Sequence, residues 1–185
     1  MDTLICIVII GVGTASLVAL SWRSLPRPRS HGFFRFFALE AILWLVVLNA
    51  SHWFSRSGSP RQLFSWVLLA SSLFLVLHGF HLLRVLGEPT TPVPGSPTYR
   101  IENTTRLLTV GAYRYIRHPL YASALFGAWG AALKAVSLRS IALGVIATAF
   151  LVATAKAEER ENIVRFGSAY REYMGRTRMF IPFVW

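Results

Sequence analysis

Apolar side chains gather in five runs: Leu4 to Trp22, Phe33 to Phe54, Leu63 to Leu86, Leu120 to Ala135 and Leu138 to Ala155. A helix needs about 20 residues, and no fewer than about 17, to cross the hydrocarbon of a bilayer. The first three runs meet that length. The fourth is short, and with the fifth it reads as a tight helical hairpin turning near Lys134 to Arg139. The pattern therefore predicts an all-α membrane protein with about five transmembrane helices. The first run is longer than a signal-peptide core and has no basic flank before it, so it is expected to persist as a membrane helix. Past the fifth run, Ile163, Phe166, Tyr170, Tyr173 and Met174 recur at spacings of three and four, opposite Arg165, Ser168 and Glu172. That predicts a basic amphipathic helix within Glu158 to Met174, lying at the membrane interface. Pro182 and Trp185 would end the chain at headgroup level. The chain divides into residues 1–87, holding three membrane helices, and 88–185, holding a linker, the hairpin and the amphipathic segment.

Composition supports the membrane class. The 185 residues are 54% hydrophobic and only 15% charged, with a mean hydropathy of +0.50. A soluble domain carries more charge and fewer long apolar runs. The formal net charge of +11 is not gathered in one patch, so it points to lipid headgroups and topology rather than to nucleic acid. Of the 19 Lys and Arg residues, all but Arg56, Arg61, Lys134 and Arg139 flank the ends of runs one, three and five. The positive-inside rule then puts the N-terminus outside and the C-terminus in the cytoplasm. The single cysteine, Cys6, lies in the first run, where it forms no intrachain disulfide and reads as a lipid-facing or core residue.

Chemistry concentrates around the hairpin. The connection from Glu88 to Arg117 begins with a proline-rich stretch, EPTTPVPGSP, expected to be extended. It continues as LLTVGAYRYIRHP, where aromatic and basic residues alternate on the approach to the membrane. Loops of this length between membrane helices are more often functional than passive. Pro119 fits the first turn of a helix, where its missing N–H costs nothing. Arg117 and His118 thus open the hairpin, and Glu158 and Glu159 close it, which suggests a polar site at one membrane face.

The block Leu108 to Tyr121 (LTVGAYRYIRHPLY), followed by a hairpin, Glu158-Glu159, Phe166-Gly167, Tyr170, Tyr173, Arg176 and Pro182, resembles the isoprenylcysteine carboxyl methyltransferase family. That family belongs to a wider group of integral membrane methyltransferases that includes the phospholipid methyltransferases. The resemblance covers about the last 80 residues; the first three runs match only as apolar helices. It implies S-adenosylmethionine as methyl donor on the cytoplasmic side and a lipophilic or prenylated acceptor entering from the membrane lipids. From the residues themselves, no metal and no nucleic acid are expected. Glu158 and Glu159 suit the donor's ammonium or ribose hydroxyls, and Arg117 its carboxylate, through charge-assisted hydrogen bonds. Tyr113 and Tyr121 suit the adenine or the sulfonium, and His118 orients the donor. Arg176 matches the family's arginine after the second tyrosine and is the candidate for holding an anionic acceptor during in-line transfer.

Each assignment has a structural counterpart. Glu161–Arg165 and Glu172–Arg176 have the spacing of ordinary surface pairs. Arg117 is also suited to lipid phosphates, and Tyr113 and Tyr121 to an aromatic belt. Acidic residues near a helix C-terminus oppose its dipole, which favours a functional reading for Glu158 and Glu159. His78 and His81 are spaced for a metal but lack a third ligand. Glu40 is an intramembrane carboxylate with Arg35 and His52 as candidate partners. Two positions depart from the family: Ser123 stands where a glycine is usual, and Arg178 where a proline is frequent. Both leave the acceptor open among a prenylcysteine-type carboxylate, a phospholipid and a small thiol. An NADPH-dependent membrane sterol reductase and a non-enzymatic membrane protein rank below these.

Overall fold

A computed structural model describes residues 3–55, 58–87 and 106–184. Among them, six α-helices form and no strand larger than an isolated bridge. The proline-rich stretch from Glu88, together with Arg56, Arg100 and Trp185, lies outside the described residues. Helix α1 covers Thr3–Ser21 and α2 His31–Leu48, which starts where Ser30 Oγ accepts the Phe33 N–H. Helix α3 covers Pro60–Leu86, with Pro60 in its first turn and Ser59 capping the Gln62 N–H. Helix α4 covers Pro119–Ala132 and α5 Leu138–Phe166, capped by Ser137 through the Ser140 N–H. Gly167, at φ 60°, ends α5, and α6 follows as Ser168–Arg176.

The all-helical membrane architecture expected from the pattern is what the chain adopts, but three boundaries differ. Four helices, α1, α2, α3 and α5, are long and apolar enough to span a bilayer. Helix α4 has 14 residues, a rise of about 21 Å, and falls short of the hydrocarbon thickness. The second run stops being α-helical at Leu48, because the Asn49 amide turns inward to Ala131 O and Ser140 Oγ, each at 3.2 Å. The tail is not one amphipathic helix over Glu158 to Met174. Glu158 to Phe166 continue α5, and the nine-residue α6 is a separate piece beyond the Gly167 break.

Helix α2 packs on α5 and α3 on α4, while α4 also meets α2 and α5; α1 leans on α2. The core around α4 is built from small side chains: Ala122, Ala128, Ala131 and Ala132 are all buried. Gly130 lets α3 approach so closely that a Cβ there would lie 2.8 Å from Leu69 Cγ and 3.2 Å from the Ser65 carbonyl. Ser65 and Ser72 donate hydrogen bonds to the Gly130 and Ser123 carbonyls, each at 2.7 Å. Small residues and interhelical hydroxyl bonds are how helices associate where lipid removes the hydrophobic drive. Leu4, Ile7 and Val12 on α1, and Leu63, Phe74 and Leu77 on α3, are exposed and face outward as lipid-contacting residues do. Glu40 takes the Thr14 hydroxyl at 2.6 Å and the Trp44 indole at 3.1 Å, so it ties α1 to α2.

Candidate active site

The turn before α4 and the end of α5 meet beside the chain that leaves α6. Ile116 and Arg178 form a parallel bridge: Arg117 N donates to Arg178 O at 2.7 Å, His118 N to Met179 O at 3.2 Å, and Arg178 N to Tyr115 O at 3.0 Å. This short ladder fixes the backbone of the Arg-His-Pro block against the C-terminal segment. Tyr173, buried on α6, donates its hydroxyl to Tyr113 O at 2.6 Å and makes a second tie. On the other flank, His78 Nε2 accepts the Ala112 N–H at 3.3 Å. Gly111, at φ 58°, sits so close that a Cβ would meet His78 Nε2 at 2.6 Å and Leu82 Cδ1 at 2.7 Å. A glycine is what permits that turn. His78 therefore holds a loop.

Side chains on this frame form a buried ion cluster. Arg117 Nε donates to Glu159 Oε1 at 2.7 Å, with both side chains about nine-tenths buried. Arg117 Nη1 also donates to the carbonyls of Met174 and Thr177. Those bonds use three of the five guanidinium N–H groups and leave Nη2 for a ligand. His118 is 4% exposed. Its Nε2 lies 3.4 Å from Glu159 Oε1 and its Nδ1 3.8 Å from Glu158 Oε2. Nε2 is buried and faces the Glu159 carboxylate without a well-aligned hydrogen bond. Tyr121 stacks on the imidazole with ring centres 5.5 Å apart, and the buried Phe180 meets its edge at 6.3 Å.

A cleft opens over this cluster, lined among others by Tyr113, Arg117, His118, Tyr121, Glu158, Asn162 and Tyr170. Its enclosed part is about 90 Å³. Of the two expected carboxylates, Glu158 faces the cleft, whereas the more buried Glu159 stands behind it and orients Arg117 and His118. Six of the seven candidate residues, Tyr113, Arg117, His118, Tyr121, Glu158 and Glu159, thus come together. Arg176 does not join them. It lies on α6 with its side chain 69% exposed, 3.3 Å from Glu172, and borders a separate pocket with Arg114. Ser123 points away from the cleft, donating to Leu120 O at 2.7 Å. Asn162 and Tyr170 were not singled out as site residues. Asn162 follows Glu158 by one helical turn, a spacing that already puts it on the same face. Burial holds the phenols of Tyr170 and Tyr173 above their ordinary range.

Comparison with known proteins decides the kinship. A sequence model of the phospholipid methyltransferase family matches residues 60–167, more than half of the chain, and contains both the Arg-His-Pro block and the Glu-Glu pair. The chain belongs to that family. The match begins at α3, so this family resemblance reaches further upstream than the last 80 residues, and it stops before α6. Among curated relatives, methanethiol S-methyltransferase 1 of Bradyrhizobium diazoefficiens is 29% identical over 63% of this chain and 38% of its own. Methanethiol S-methyltransferase of Pseudomonas deceptionensis is 27% identical over 80% of this chain and 50% of its own. The Mycobacterium tuberculosis protein of the same name is 26% identical over 63% and 45%. The chain thus spans about half or less of the length of these relatives. No solved structure matches it.

Proposed function

We propose that this phospholipid methyltransferase family member is a membrane enzyme that transfers the methyl group of S-adenosylmethionine to a small thiol. The observation that carries the reading is the buried Arg117–Glu159–His118 cluster beneath an open cleft. The donor's chemistry fits these residues. Glu158 and Asn162 offer acceptors for an ammonium or ribose hydroxyls, Arg117 Nη2 offers donors for a carboxylate, and Tyr113, Tyr121 and Tyr170 offer aromatic surface. When bound, S-adenosylmethionine would supply an electrophilic methyl carbon, to which an acceptor thiolate would bond as the carbon–sulfonium bond breaks and S-adenosylhomocysteine leaves. His118 lines the cleft with Nδ1 on the Glu158 side and is the ring placed to take the proton a thiol must lose, while Glu159 beside Nε2 favours the resulting imidazolium. Phe180 and Tyr121 close the inner side of the imidazole and keep water from it. Arg176 is left out of the reacting set, because its guanidinium is exposed and borders another pocket. The relatives' printed names favour a thiol over the prenylcysteine-type carboxylate. By the distribution of Lys and Arg, the site opens to the cytoplasm.

A second reading, a larger lipophilic acceptor, draws support from the apolar groove of about 490 Å³ between α3 and α4, lined by Phe74, Ile116, Phe126 and Phe180. One assay separates the two. Purified protein is given methyl-labelled donor with methanethiol, and the headspace is analysed for labelled dimethyl sulfide, while calorimetry follows S-adenosylhomocysteine. The expected result is labelled thioether and donor-product binding, both abolished in His118→Ala and Glu159→Gln. Binding without thioether would reject the thiol and keep the donor site. No binding by folded protein would overturn the whole reading.

A further inference from the structure

The pocket that takes in Arg176 has a composition of its own. It is a cavity of about 570 Å³ bordered by Thr109, Gly111, Arg114, Arg176 and Thr177. Two guanidinium groups from segments far apart in sequence converge on it, one from the 111–114 turn and one from the end of α6. Arg176 is engaged by Glu172 at 3.3 Å, but that pair is about 70% exposed on both sides and holds the arginine weakly. Arg114 rests 5.9 Å from the Tyr115 ring centre.

Beside this basic pocket stands an exposed apolar lip. Val110, Tyr115, Phe183 and Val184 are all exposed, Phe183 at 83%, and the Tyr115 and Phe183 rings lie 6.2 Å apart. Phe183 is the sole described non-glycine residue with a positive φ, 66°, an unusual conformation for a bulky side chain. Arginines that grip an oxyanion, next to aromatic and aliphatic side chains turned outward, are the two halves of a contact with an amphiphile at the membrane interface. A free anion would need only the first half.

We propose that Arg114 and Arg176 bind the phosphate of an anionic lipid headgroup, with the Tyr115–Phe183 lip against its acyl region. The inference is independent of the donor and acceptor reading. The two segments it bridges are those already tied by Tyr173 to Tyr113 O and by Arg117 to Thr177 O. A bound headgroup therefore adds a further tie and raises the temperature at which they separate.

The test uses the purified full chain in a neutral detergent, titrated with phosphatidylglycerol, phosphatidylcholine or inorganic phosphate while tryptophan fluorescence follows thermal unfolding. Phosphatidylglycerol is expected to raise the midpoint saturably, and the other two to leave it in place. Arg114→Gln should raise the half-saturating lipid concentration about ten-fold, the loss expected of a charge-assisted bond. Arg29→Gln, an exposed arginine on the connection between α1 and α2, should stay within about two-fold. The lipid-free midpoint of each variant reports that it is folded. An equal response to phosphatidylcholine, an equal response to inorganic phosphate, or an Arg29→Gln loss matching Arg114→Gln would each overturn the proposal.

Discussion

The Arg117–Glu159 pair allows a quantitative test of whether the cluster is a buried electrostatic unit. Arg117 Nε meets Glu159 Oε1 at 2.7 Å, with side-chain exposures of 11% and 10%. For charges about 4 Å apart, an effective dielectric near 20 gives an attraction of about 4 kcal/mol. Loss of hydration offsets part of this in a buried pair, yet removing one partner still costs about 3–5 kcal/mol, because the other charge is stranded. Arg117→Met and Glu159→Gln, singly and together, complete a double-mutant cycle read by reversible unfolding in mixed micelles. The expected coupling is about 2–3 kcal/mol, with the double variant less damaged than the sum of the singles. Arg176–Glu172 has the same charges at 3.3 Å with exposures of 69% and 71%, and its cycle should give about 0.3–0.5 kcal/mol. Equal coupling in the two cycles, or less than about 0.5 kcal/mol at Arg117–Glu159, would refute the claim that burial sets the strength of the cluster.

Two other perturbations test the frame around it. Lys134, fully buried, has its Nζ 3.5 Å from the Trp66 ring centre and 3.1 Å from Gln62 Oε1, and burial lowers its pKa. Lys134→Met should lower stability by about 2 kcal/mol, the scale of a desolvated cation–π contact, while S-adenosylhomocysteine affinity is unchanged; a fall in affinity would show that the far end of α4 is coupled to the site. Gly111→Ala and Gly167→Ala both place a side chain at positive φ, but only the first meets neighbours. Gly167→Ala should cost about 1–3 kcal/mol in thermal stability, and Gly111→Ala more, with weaker donor-product binding in calorimetry; equal costs would deny the close approach of His78.

How much of this was legible in the sequence depends on which force sets each feature. Hydropathy marks where a chain leaves lipid, and it placed the apolar runs well. It does not mark where a helix ends. Helix α5 continues through Lys156, Glu158, Arg160 and Glu161, because such residues are good helix formers even where they are poor membrane residues. The end of the second run was hidden for a different reason, whereas the shortness of the fourth was legible in its length. Asn49 bonds to Ala131 O and Ser140 Oγ, and Gln62 and Lys134 bond to each other, and such partners are set by tertiary packing. At the site, chain order identified residues that meet but not the direction each faces. Tyr170 and Tyr173 turn inward on α6, whereas Arg176, a further three residues on, is rotated by about 60° from Tyr173 and emerges at the surface.

The length of α4 bears on how donor and acceptor could meet. One end of this helix is held by the Lys134–Gln62 bonds and the other carries His118. Its rise of about 21 Å compares with about 30 Å for a hydrocarbon core. Helix α4 alone thus falls about 9 Å short of that thickness. Helix α5 has 29 residues, more than twice as many as α4, and brings Glu158 and Asn162 to the cleft. On the proposed reading, a polar donor reaches the site along α5 and an apolar thiol reaches it from the bilayer. The short helix is then the feature that lets a single imidazole face both.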